Sequence, residues 1–238
     1  GATSTTTETV TVTIPEGYTV KQIISLLAKN GVSTEEALTE TAENATFDFS
    51  FVDNENLGSL SRLEGYLFPD TYEFYLNEKP ASAIKRLLDN FNRKMTEERM
   101  QAVEESGYSL KEIITIASLI EKETDGTDHA KIASVIYNRL NDSGSHGTYK
   151  MLNIDAALLY ALPDHEGALT NADKKVDSPY NLYTHAGLPP TPIANPGIAS
   201  IDAALHPETT DYYYYALGKD GKHHFSTTLS EHNAFLAS

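Results

Sequence analysis

Cysteine and tryptophan are both absent from this 238-residue chain. Without Cys there is no disulfide framework and no thiolate metal site. Without Trp, a ring that stacks on a ligand must come chiefly from the 14 Tyr. Basic charge is also scarce: 18 Lys and Arg stand against 34 Asp and Glu, a formal net charge of −16. That sign argues against nucleic acid and anionic membrane surfaces as partners. It suits an uncharged or mixed-charge polymer. No run of about 18 apolar residues is present, so the sequence holds no membrane span, and it holds no basic-then-apolar signal segment. What remains is ordinary globular material, 40% hydrophobic, enough for one large domain or two small ones.

Residues 1–7 are small and polar and read as a tether. Thr9 to Ile14 alternates and predicts a strand, followed by a Pro15-Glu16-Gly17 turn. Thr19 is placed to cap a helix with Val20, Ile23, Ile24 and Leu27 inward, ended by Asn30-Gly31. Val32 to Asn44 predicts a second short helix, Ala81 to Met95 a third and Thr96 to Glu105 a fourth. Gly126 breaks the helix before it, and Asp128 is placed to cap the next, with Ile132, Val135, Ile136 and Leu140 inward. Tyr212 to Leu217, Asp220-Gly221 and His223 to Ser226 predict a hairpin. Thr228 and Glu231 then open a final helix.

Ser109 to Thr124 is the stretch that carries chemistry. Ser109 and Glu112 form a capping box, and Leu110, Ile113, Ile114, Ile116, Ala117, Leu119 and Ile120 fill a wide apolar arc. Lys111, Thr115, Ser118 and Lys122 are expected on the wet face. Glu121 falls between Ala117 and Ile114, inside the arc. Helix geometry leaves two readings open: a frayed last-turn Glu, or a buried carboxyl with a raised pKa suited to general acid catalysis. Glu123 reads as structural, paired with Arg139. Glu64 either faces a site or pairs with a surface cation.

Ala117-Ser118-Leu119-Ile120-Glu121-Lys122-Glu123-Thr124 resembles the catalytic signature of the YceG/MltG family of endolytic murein transglycosylases. Four further blocks resemble the family in the same order: Leu63 to Tyr72, Val135 to Leu140, Ser178 to Tyr183 and Gly187 to Gly197. The block Asn153-Ile154-Asp155-Ala156-Ala157 departs from the family, keeping only its Asp. Separately, Ile14-Pro15-Glu16-Gly17-Tyr18-Thr19-Val20 before a helix resembles the opening of a LysM-like module; a plain scaffold subdomain is the alternative.

The resemblance implies an α+β chain. Residues 8–58 would form a LysM-like subdomain, and 59–238 a mainly helical, lysozyme-like catalytic domain with a small C-terminal hairpin. It implies cleavage of the MurNAc–GlcNAc bond by Glu121 as the sole catalytic carboxylate, the sugar's own 6-hydroxyl closing a 1,6-anhydro ring. Tyr180, Asn181, Asn195, His224, Asp155 and Glu64 are the candidates for substrate binding. No cofactor and no metal are expected. His223, His224, Glu231 and His232 lack an HExxH helix, and His223 and His224 would point to opposite faces of a strand. The implied partners are nascent glycan strands and peptidoglycan synthases. The implied location is the extracellular face of the membrane, reached through an N-terminal anchor not contained in this sequence. Two alternatives remain: a non-catalytic peptidoglycan-binding scaffold and a two-carboxylate muramidase.

Overall fold

The computed structural model describes residues 8–238, so the expected tether at 1–7 lies outside them. The chain divides into two compact units. The first runs through Met100 and includes Ala194–Gly197; the second takes Gln101–Ile193 and Ile198–Ser238. Residues 59–100 are thereby grouped with the N-terminal elements.

The first unit opens with β1 (Thr9–Thr13), α1 (Val20–Lys29) and α2 (Glu35–Asn44). β2 (Thr71–Tyr75) then returns antiparallel to β1, from Thr9 opposite Tyr75 to Thr13 opposite Thr71. The strand that pairs with β1 thus lies beyond residue 58. α1 begins as its sequence predicts: the Thr19 and Gln22 side chains cap each other's backbone N–H, and Val20, Ile23, Ile24 and Leu27 are buried. α3 (Pro80–Lys94) has Pro at its first position, where the missing N–H costs nothing, and buries Ile84, Leu87, Leu88 and Phe91. Arg62 is buried, and its guanidinium donates to the carbonyls of Ala42, Ala45 and Asp53. It thereby satisfies carbonyls at the end of α2 that the helix itself leaves open. α4 (Glu97–Ser106) carries the chain from the first unit into the second.

The second unit is built around α5 (Leu110–Glu123), which packs against α6 (His129–Leu140), α7 (Asp155–Ala161) and α8 (Ile198–Leu205). The Ser109–Glu112 capping box forms as expected. The wet face forms only at its ends, where Lys111 and Lys122 are exposed. Every residue from Ile113 to Ile120 is buried, including Thr115 and Ser118. Their hydroxyls are absorbed locally: Thr115 Oγ1 donates to Lys111 O at 2.7 Å, and Ser118 Oγ donates to Thr115 O at 2.7 Å while accepting from Ile193 N at 3.0 Å. A short hydroxyl that can bond back to its own helix is cheap to bury, and a polar position in the sequence therefore need not mean a solvent-facing one.

The chain ends in the predicted hairpin, β3 (Tyr214–Leu217) against β4 (His223–Ser226), with Gly221 at φ 76° in the turn. α9 (Leu229–Leu236) packs on both strands. Thr228 caps it, and the Glu231 carboxylate accepts from Thr227 N, so Glu231 serves the helix start.

Candidate active site

The last residue of α5 is Glu123, and Thr124 leaves helical geometry behind it. The following turn is fixed by two carboxylates. Asp128 Oδ1 accepts from Thr124 Oγ1 and Asp125 N, at 2.7 and 3.1 Å. Its Oδ2 lies 2.7 Å from His223 Nδ1, and Asp125 Oδ2 accepts from His223 N at 2.9 Å. Asp128 makes no side-chain cap for α6, contrary to the sequence reading, because its lone pairs serve this link to β4. The oxygens of Asp125 and Asp128 and the Nδ1 of His223 lie within 4.8 Å of one another. Each already has hydrogen-bonding partners in the chain. We read the trio as a clamp between the end of α5 and the hairpin, and assign it no metal.

Glu123 stands where two cavities meet. The first, of about 460 Å³, is lined by Glu123, Arg139, Asn153, Asp155, Tyr183, Tyr214, Tyr215 and His232, among others. The second, of about 520 Å³, is lined by Lys122, Glu123, Asp125, Tyr215, Leu217 and His223, among others. Glu123 and Tyr215 line both.

The electrostatics follow from burial. Removal from water pushes the Glu123 carboxyl up to about 7, and the charge of Asp155 adds to the rise. Burial also raises Tyr215 well above its ordinary value and raises Tyr183, whose hydroxyl donates to Asp155. Arg139 sits over the Tyr214 ring and is held by backbone: Nε donates to Met151 O at 2.8 Å and Nη1 to Tyr213 O at 2.9 Å. Among the described residues it makes no ion pair with Glu123, the partner expected for it from sequence. His232 stacks on Tyr214, ring centroids 5.2 Å apart, with its pKa lowered by burial and its Nδ1 without a partner.

The sequence candidates are dispersed by this geometry. Glu121 is half-buried and lines neither cavity. Asp155 lines the first cavity beside Glu123. Tyr180 is turned to Thr191, its hydroxyl 2.7 Å from Oγ1, and its ring lies against Tyr160. Asn181 is fully buried; its amide donates to Lys174 O and Val176 O and accepts from Tyr183 N, bracing the loop that presents Tyr183. His224 is exposed, faces Asp220 and stacks on Phe235; its neighbour His223 takes the cavity side, as strand alternation requires.

Glu64 and Asn195 belong to the first unit and are buried at 2% and 0% exposure. Glu64 Oε1 accepts from Val20 N and Asn195 Nδ2, while Asn195 Oδ1 accepts from Gly65 N and Leu67 N. These bonds tie both side chains into the first unit. Missing from the sequence reading are Glu123 as more than a structural residue, Arg139 as a cavity residue, and Tyr214, Tyr215 and His232. A signal for Glu123 was present: at 100° per residue it falls between Leu119 and Ile116, deeper in the apolar arc than Glu121.

Fold and site together define an α+β protein whose helical unit holds one protonatable acid at the junction of two cavities. The sequence model of the YceG-like family matches residues 2–238, and the chain belongs to that family. It is similar to a protein of Bacillus subtilis (strain 168) named endolytic murein transglycosylase, 35% identical, with 93% of this chain and 63% of that protein covered. A protein of the same name from Streptococcus pneumoniae (strain D39) is 31% identical, with 95% of this chain and 44% of that protein covered. The chain thus spans less than two thirds of the length of these curated relatives. Among solved structures, a yceG-like protein of Listeria monocytogenes superposes with a TM-score of 0.78 at 32% identity, over 94% of this chain and 75% of that one.

Proposed function

We propose that this chain is the catalytic part of an endolytic peptidoglycan lytic transglycosylase. It cleaves the MurNAc–GlcNAc bond within nascent glycan strands and leaves 1,6-anhydroMurNAc ends. The observation that carries the reading is the Glu123 carboxyl, raised to about 7 at the meeting point of two cavities. A general acid must hold its proton at working pH and still give it up, and a value near neutrality satisfies both needs. Cavities on either side of one acid suit a polymer that runs past it and is cut internally. Family membership and the names of the relatives support the same reaction class.

In this mechanism Glu123, not Glu121, donates its proton to the leaving glycosidic oxygen. As a carboxylate it then takes the proton of the muramoyl 6-hydroxyl as that oxygen closes on C1. Tyr183, Tyr214 and Tyr215 supply the ring faces that a Trp-free chain must draw from Tyr. Arg139 and His232 line the first cavity as hydrogen-bonding groups. The work site is the extracellular face of the cell membrane, next to peptidoglycan synthases. The βααβ order of β1, α1, α2 and β2 supports a LysM-like reading of the N-terminal elements, with a glycan-holding role. Among the described residues no helix is long and apolar enough to cross a membrane.

One observation favours a second reading. Asp155 lines the same cavity as Glu123, as the second carboxylate of a muramidase would. Mass spectrometry of purified peptidoglycan after incubation separates the two. Anhydromuramyl ends are the expected result; reducing ends alone establish the muramidase. In the same assay Glu123→Gln should lower the rate by at least about 10², the cost of losing an acid catalyst, and Glu121→Gln by far less. The reverse order returns the acid to Glu121.

A further inference from the structure

Asp155 is an exposed carboxylate with a fixed position. The Tyr183 hydroxyl donates to its Oδ1, and Tyr183 is itself set by Asn181, whose Oδ1 accepts from Tyr183 N at 3.0 Å. Free Asp side chains at a surface sample several rotamers, and water screens their charge. This one is tied by the half-buried Tyr183 to the rim of the cavity that holds Glu123. We propose that Asp155 is a positioning residue for the reaction: anchored by Tyr183, its negative charge keeps the proton on Glu123. The inference rests on Glu123 being the acid and assigns Asp155 no bond to the substrate.

The other groups facing Glu123 leave room for this role. Arg139, on α6, is the cation of the first cavity and would draw the proton off. Its Nε and Nη1 are turned to the carbonyls of Met151 and Tyr213 instead. Tyr183 from the loop and Tyr215 from β3 carry no charge near neutral pH, Tyr214 is covered by the Arg139 guanidinium, and burial lowers the pKa of His232 from α9. On the second cavity, His223 is turned to Asp128 and Asp125 accepts from the His223 backbone, while Lys122 lies on the exposed side of α5. Asp155 is the one anion on the first cavity besides Glu123 itself. A like charge nearby disfavours ionisation, so it acts in the same direction as burial.

The start of α7 is held to the same loop. Asn153 has φ 53° and its N–H bonds to Leu182 O, which joins the start of α7 to the loop carrying Tyr183.

The test is a direct titration of the Glu123 carboxyl by ¹³C NMR in Glu-labelled protein, assigned by its loss in Glu123→Gln. It is run alongside the pH profile of kcat/KM. Asp155→Asn should lower the Glu123 midpoint by about one unit, the size of effect a nearby like charge has. The alkaline limb of the rate profile should move with it. Tyr183→Phe should lower both by a smaller amount, because the released Asp155 is screened by water. A Glu123 midpoint unchanged in Asp155→Asn overturns the inference. So does a loss of at least about 10² in rate at every pH, which is the mark of a nucleophile. If the carboxyl titration moves and the rate profile does not, the tuning stands as electrostatics and the assignment of Glu123 as the acid fails.

Discussion

Glu64 and Glu123 are both glutamates drawn from family-like blocks, and both are drawn away from water. In the first unit Glu64 is 2% exposed and spends its carboxylate on Val20 N and Asn195 Nδ2. In the second, no donor from the chain reaches the Glu123 carboxyl among the described residues, and two cavities open onto it. The difference teaches that burial alone does not make an acid. Donors from the chain occupy the Glu64 carboxylate, whereas burial without donors, next to an opening, favours the protonated form of Glu123.

The comparison breaks first on stability. Glu64→Ala leaves the N–H of Val20 without its acceptor and takes one of two from the Asn195 amide, which keeps Tyr18 O at 2.9 Å. The expected cost is about 1–3 kcal/mol, read as a lower urea midpoint with unchanged slope. Glu123→Ala removes no such partner and should cost much less at pH 7. Equal losses would show that the two acids play the same structural role.

A second effect sharpens the contrast through pH. Glu123 is raised in the folded state above its ordinary value of 4.5, to about 7. The folded chain therefore holds this proton more tightly than the unfolded chain. Its contribution to stability is full below about pH 4.5 and is lost as pH rises through about 7. Glu123→Gln, which cannot ionise, should accordingly raise Tm relative to the parent at pH 8.5 by a few degrees and leave it nearly unchanged at pH 4. A Tm difference independent of pH would mean that the carboxyl is not raised.

The smallest effect belongs to His224. Exposed and paired only with Asp220 and the Phe235 ring, it should tolerate Ala with less than about a twofold change in activity. His223→Ala, which removes the imidazole that meets Asp128, should be the more damaging of the two, seen as a loss of both Tm and rate.

Much of the chain was legible before any coordinates. Strong periodicity placed α1, α3 and α5, and short-range chemistry placed two of their starts, Thr19 for α1 and Ser109 with Glu112 for α5. The Asp220-Gly221 signal placed the hairpin. These features succeed because they are local: a cap or a turn is decided by residues within one turn of each other. Long-range acceptors were not legible. Nothing in the sequence says that Asn195 reaches Gly65, or that Asp128 abandons its own helix for His223.

The sequence by itself determined an α+β chain of one family, with a helix at its centre that ends in two glutamates. Only the tertiary structure decided which glutamate lines the cavities. A helical wheel reports which side of α5 meets apolar neighbours, and it places both Glu121 and Glu123 within that side. It cannot report where those neighbours stop. α6, α7 and α8 cover α5 as far as Ile120; beyond that point β3, α9 and the Tyr183 loop stand back and leave the two cavities, and Glu123 is the side chain that reaches them.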